Sequence, residues 1–141
     1  MITLNIPVEP MGAVRMTGRG KFVKPNAKRY LSYKDFIKFK AKEQLKGQKL
    51  FAGSIKVEVL FLMPIPKSWP KWQKRIAPGK RHIVKPDIDN LIKGVFDALN
   101  QIAWTDDNQV SEVTACKKYS ENPGIAVRIT RAAEVWEKAS V

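Results

Sequence analysis

Residues 85–100, KPDIDNLIKGVFDALN, decide how this chain reads. Pro86 disfavours helix at Lys85, and Asp89 or Asn90 follows as a good N-cap for the apolar-periodic run beyond it. Leu91, Val95, Ala98 and Leu99 recur at helical spacing, which predicts a helix over about 88–100 with that stripe against a core. Lys93 and Asp97 fall four and eight residues after Asp89 and share its side of the helix. Asp87 and Asp89 stand two apart where the chain enters the helix, so both can point to one place at the positive end of its dipole. A further pair, Asp106-Asp107, follows Trp104 and precedes an alternating run. It can return beside the first pair if the helix packs on a sheet.

Five of the six aspartates lie between positions 87 and 107 of a 141-residue chain whose formal net charge is +13. Carboxylates gathered inside a basic protein make sense if something cationic sits among them and something anionic is held around them. A divalent metal and a phosphodiester backbone fit: Mg²⁺ takes one or two carboxylates plus waters and substrate phosphates. Such ions activate water and stabilise charge on phosphoryl oxygens. Plainer roles stand beside these. Asp87 reads equally as a turn or cap residue, and Asp97 as a solvated helix-face carboxylate. Lys93 reads also as an ion-pair partner of Asp89 or Asp97, worth about 0.3–0.5 kcal/mol if exposed.

Working outward, residues 2–7 read as a strand and 8–25 as a Pro/Gly/basic loop, with room for a short strand near Phe22. A helix is predicted from about 27 to 46, closed by Gly47, with Tyr33, Phe36, Ile37 and Leu45 facing the core. In residues 54–63, SIKVEVLFLM, Ile55, Val57, Val59 and Phe61 alternate as in a strand. The insertion PIPKSWPKWQKRIAPGKRH follows, where Ser68 can cap a short helix beginning at Trp69-Pro70. Strands are predicted at roughly 109–119 and 124–131, then a short helix near 133–139. No repeat or low-complexity tract interrupts this order. The expectation is one α+β domain over 1–141, with a mixed or antiparallel sheet and helices packed on it.

Composition excludes several classes. No run approaches the roughly 18 apolar residues of a membrane span, and MITLNIPVEP lacks the pattern of a signal peptide, so the cytoplasm is the expected compartment. Cys116 is the sole cysteine, which rules out an intrachain disulfide or a cysteine metal cluster; it reads as a packing residue. His82 is also alone, in a basic stretch, and reads as a contact to phosphate or solvent rather than as a ligand or base. A pI near 10 is the footprint of nucleic-acid binding. Trp69 and Trp72, interleaved with Lys71, Lys74 and Arg75, suit base stacking, but anchoring of the insertion is the favoured reading for both, since tryptophan buries large area.

The same residues carry a family resemblance. Asp87-Ile88-Asp89-Asn90-Leu91-Ile92-Lys93, then Asp97-Ala98-Leu99, then Asp106-Asp107-Asn108-Gln109 resembles the core of RusA-like Holliday junction resolvases, common in bacteriophages and prophages. That resemblance implies a metal-dependent endodeoxyribonuclease of recombination and repair, acting on branched DNA as a two-fold homodimer. It also implies that Asp87, Asp89 and Asp107 bind Mg²⁺ (or Mn²⁺), that Asp106 assists, and that Lys93 is the catalytic lysine. Gln101 stands where many relatives have glycine. Arg15, Lys21, Lys71, Lys74, Arg75 and Lys85 are the expected DNA contacts. Two other classes remain: a non-catalytic basic nucleic-acid-binding protein with structural aspartates, and a nucleotide-sugar transferase, for which the chain is short.

Overall fold

The structure is a computed structural model, in which residues 1–15 and 24–133 are described. Lys21, the strand expected near Phe22, and the C-terminal helix from residue 134 onward lie outside the described residues. Four strands, β1 (Ile2–Ile6), β2 (Ile55–Pro64), β3 (Val110–Ser120) and β4 (Gly124–Arg131), form one sheet in the order β1-β4-β2-β3. The β1/β4 and β4/β2 pairs are antiparallel, and β2/β3 is parallel. A parallel pair needs a long crossover. Here that crossover carries two helices, α2 (Lys71–Ile76) and α3 (Ile88–Leu99), while α1 (Pro25–Leu45) joins β1 to β2. The fold is α+β with a mixed sheet, as the alternation and helical periods predict.

β2 is central, and its alternation sets the layers. Ile55, Val57, Val59, Phe61 and Met63 are buried, and they join Ile125, Val127 and Ile129 of β4 and Leu4 and Ile6 of β1 in one core. On the opposite face Glu58 pairs with Lys56 at 3.4 Å and Arg128 at 3.1 Å. One side of the sheet is therefore packed and the other is polar, as antiparallel ladders permit. Cys116 is half-buried and lies opposite Leu60 in the ladder, so it packs on this outer side.

α1 starts at Pro25, whose fixed φ suits a first helical position, and buries Ala27, Tyr30, Tyr33, Ile37, Ala41 and Leu45 as one stripe. Phe36 is only partly covered. The helix ends at Leu45, and Lys46 takes the left-handed conformation (φ 50°) one residue before Gly47 (φ 74°). The expected terminator thus acts as the second step of a two-residue reversal. α2 begins later than expected: Pro70 is its N-cap, and no side chain caps it. Ser68 instead lies in the turn closed by the Trp69 N–H to Pro66 carbonyl bond.

α3 buries Leu91, Val95, Ala98 and Leu99, the stripe read from its period, and adds Gly94, which passes close to Tyr30, Tyr33 and the Met11 carbonyl. Beyond it Trp104 is fully buried and meets Phe96 edge-on at 5.3 Å. This aromatic pair fixes the turn that carries Asp106 and Asp107.

Candidate active site

The N-cap of α3 lies two residues before Asp89 and three before Asn90. Asp87, not Asp89 or Asn90, is the N-cap: its backbone is extended, and its carbonyl accepts the Leu91 N–H at 3.1 Å. Pro86 ahead of it disfavours helix at Lys85, so the helix does not reach further back. The Asp87 side chain makes no capping hydrogen bond. Its carboxylate is left for other use, and Asp89 lies exposed in the first turn. The two line a shallow concavity of about 830 Å³ together with His82, Ile83, Val84, Lys85 and Lys117. They also border a smaller one of about 400 Å³ with Lys85, Pro86 and Asn90. The acid pair is thus a ridge between two hollows at a helix N-terminus.

The N-terminal loop is pinned to this ridge. Asn90 donates through Nδ2 to the Ala13 carbonyl at 3.2 Å, and the Ala13 N–H donates to the Asn90 carbonyl at 3.2 Å. Gly12 permits the approach: a Cβ there would stand 2.6 Å from Asn90 Nδ2 and 3.2 Å from Pro86 Cβ. Arg15, two residues beyond this clamp, is exposed. Lys85 is exposed beside Asp87. On α2, Lys71 and Arg75 are exposed and Lys74 is half-buried. Four of the expected DNA contacts are therefore open to an anionic ligand.

Lys93 lies exposed one turn after Asp89 and, among the described residues, forms no ion pair. The surface salt bridge that its spacing allows is not made. Asp97, another turn on, accepts the Tyr30 hydroxyl at 3.0 Å. Burial, followed by that bond to Asp97, pushes the Tyr30 phenol well above its ordinary range, so it stays a donor.

The second acidic pair sits at the other end of α3. The Asp107 N–H donates to Asn100 Oδ1 at 3.1 Å, and Asp107 Oδ1 accepts the Trp104 indole N–H at 2.6 Å. Burial raises the Asp107 carboxyl above the usual range, the Trp104 bond opposes this, and the charges of Asp97 and Asp106 add to it. Asp106 caps the 3-10 turn Asp107–Gln109: its carboxylate accepts the Asn108 N–H at 2.9 Å, and Gln109 Oε1 accepts the Asp106 N–H at 2.9 Å. Gln109 also donates to the carbonyls of Phe51 and Gly53. The Asp-Asp-x-Gln spacing is thus a capping box, which engages Asp106 locally. Along α3, the 1.5 Å helical rise separates Asp89 from Asp97 by about 12 Å, and Asp107 lies beyond. Within one chain the two acidic pairs do not converge, and no group of three His, Cys, Asp or Glu side chains among the described residues is placed to hold a metal. The donor set Asp87/Asp89 by itself suits a hard cation that keeps waters and takes a substrate phosphate.

Two residues depart from their sequence reading. His82 is buried rather than at solvent, and its ring lies 4.9 Å from that of Tyr119. Burial and then the Lys117 charge lower its pKa, which keeps it neutral. Trp69 meets Tyr119 in a tilted contact at 5.1 Å and anchors the insertion as expected, but Trp72 is 62% exposed and anchors nothing there. Lys117 was missed. Its Nζ donates to the carbonyls of Val84 and Pro86, on the chain entering the acid pair. The only signal was its phase in β3, where it shares the inward row of Ala115 and Tyr119.

An acid pair stands at a helix entry on a small and strongly basic α+β domain, and residues 7–130 match the family model for endodeoxyribonuclease RusA. The chain belongs to the RusA endodeoxyribonuclease family. It is similar to the uncharacterized protein YqaN of Bacillus subtilis (strain 168), with 32% identity over 124 residues, covering 85% of this chain and 84% of that protein. No helix among the described residues is long and apolar enough to cross a membrane.

Proposed function

We propose that the protein is a divalent-metal-dependent endonuclease that resolves four-way DNA junctions by paired phosphodiester hydrolysis, in recombination and repair. The observation that carries this reading is the uncommitted Asp87/Asp89 pair at the head of α3, in a chain of the RusA family. Asp87 and Asp89 hold Mg²⁺ or Mn²⁺, and Asp107 completes the acidic set. The ion, when bound, activates water and offsets charge on the phosphoryl oxygens. Lys93, exposed and free of an ion pair among the described residues, sets its ammonium against the charge that develops on the phosphate or leaving oxygen. The α3 N-terminus orients its own N–H dipoles toward the same anion. Arg15, Lys71, Lys74, Arg75 and Lys85 grip the backbone, which fixes position without reading sequence. The products are nicked duplexes with 5′-phosphate and 3′-hydroxyl ends.

The working unit is a two-fold homodimer. Paired cuts on opposed strands need two sites, and C₂ pairs are the commonest closed assembly. The dimer also answers the separation of the acidic pairs along α3, since it gives the partner subunit's Asp107 a route to Asp87 and Asp89. Incubation with a synthetic four-way junction and a matched linear duplex, with and without Mg²⁺, tests the activity. Symmetric nicks in the junction that depend on the metal are expected. Tight binding with the junction left intact would favour a non-catalytic nucleic-acid-binding role instead.

A further inference from the structure

We infer that Lys117 is a positioning residue for the acid pair: its ammonium clamps the loop 83–87 and so fixes where Asp87 and Asp89 stand. Lys117 occupies an unusual place for a lysine. It pairs with Phe61 across the β2/β3 ladder and so lies on the helix-covered side of the sheet, in the row of Ala115 and Tyr119. Lys117 is half-buried there, and its ammonium needs partners, because drawing a charge away from water without one is costly. Its partners are backbone carbonyls: Nζ donates to Val84 at 2.6 Å and to Pro86 at 2.7 Å. No carboxylate lies within ion-pair distance of it among the described residues, although Asp87 and Asp89 line the same concavity.

The backbone of Lys117 works in the same direction. Its carbonyl accepts the His82 N–H at 3.0 Å, while the Tyr119 carbonyl accepts from Gly79 and the Tyr119 N–H donates to Lys80, each at 2.9 Å. Residues 79–82 are thus fastened to β3 by main-chain bonds. Residues 84–86 are fastened to it by the Lys117 side chain. Ile83, between these anchors, and Val84, in the second, are 87% and 57% exposed, so apolar burial does little to hold the segment. Two charge-assisted hydrogen bonds, each stronger than a neutral one, carry that load directly before the N-cap of α3. The clamp acts at one remove from the reacting groups, as outer-shell partners of a metal site do.

The inference rests on the reading that Asp87 and Asp89 bind a divalent ion, and its test separates the two. Mn²⁺ titration followed by electron paramagnetic resonance compares the wild type, Asp89→Asn, Lys117→Met and Lys117→Arg. Hydrogen exchange of a peptide spanning 83–89 is followed in the same proteins without metal. Lys117→Met is expected to weaken Mn²⁺ binding by about tenfold and to speed exchange in 83–89, with the strands still protected. Lys117→Arg, which keeps the charge and the donors, is expected to retain most of both. Tighter Mn²⁺ binding in Lys117→Met would mean that the lysine acts only by repelling the ion, and unchanged binding with unchanged exchange would mean that it positions nothing; either overturns the inference. A wild type that binds no more Mn²⁺ than Asp89→Asn refutes the metal reading, while the exchange data still decide the clamp. If Lys117→Met does not fold, Lys117→Gln, which keeps one amide donor group, takes its place with the same expected direction.

Discussion

At the scale of single residues, environment divides the aspartates by task. Among the described residues Asp87 and Asp89 are uncommitted, Asp97 is tied to Tyr30, Asp106 to its own turn and Asp107 to Trp104. Asp89→Asn is expected to nearly abolish cleavage while leaving junction binding intact or tighter, since it weakens chelation and removes a negative charge facing DNA. Single-turnover cleavage beside a mobility-shift titration in Ca²⁺ checks this, and cleavage at the wild-type rate would dismiss the assigned site. Lys93→Ala is expected to slow cleavage by roughly 10²-fold with little change in affinity; a defect confined to affinity would make Lys93 a phosphate-positioning residue. Asp107 gives a prediction in pH. Its carboxyl is raised by burial, so its contribution to stability is full below the unfolded pKa and is lost as pH rises through the folded one. Ionised at neutral pH, it destabilises the fold. Asp107→Asn keeps an oxygen for the Trp104 N–H and should melt higher than wild type at neutral pH. That gain should fade below about pH 4, as thermal melts across pH would reveal, and the same variant should cleave poorly.

At the scale of elements, the helical and strand periods were legible because they depend on side chains that must be buried. Leu91, Val95, Ala98 and Leu99 predicted α3, and Ile55, Val57, Val59 and Phe61 predicted β2; all are buried as read. What escaped was set by partners distant in sequence. The N-cap of α3 is Asp87, directly after Pro86, and local propensity for Asp89 or Asn90 does not show that placement. His82 is buried because β3 and Tyr119 come to it. Lys117 looks like any surface lysine until β3 is paired in register with β2. The link between the N-terminal loop and α3 was equally hidden, and it is testable. Gly12→Ala pushes a methyl against Asn90 Nδ2 and Pro86. Releasing the Asn90 bond to Ala13 should cost about 1 kcal/mol, measured by urea unfolding, and should lower DNA affinity by freeing Arg15. An unchanged midpoint and affinity would mean that the loop shifts without strain.

At the scale of the whole molecule, the basic surface implies a salt law. Affinity for junction DNA should fall log-linearly with salt, at a slope of about 0.9 per phosphate contacted; a flat response would contradict the nucleic-acid reading. Sedimentation at micromolar concentration should give about twice the chain mass. Mixed dimers of Asp89→Asn with Asp107→Asn should recover part of the cleavage that each variant lacks alone, because one composite site then keeps both wild-type acids. Failure to recover would place all the acids of a site within one chain. The sheet itself has another consequence. Among the described residues β3 is an edge strand, and an unpaired edge offers its N–H and carbonyl groups to any passing strand. Residues 79–82 occupy part of that edge, through Gly79, Lys80 and His82. The segment that delivers Asp87 therefore also shields the protein from strand-to-strand aggregation, so solubility and the placing of Asp87 share one piece of chain, and selection for either constrains the other.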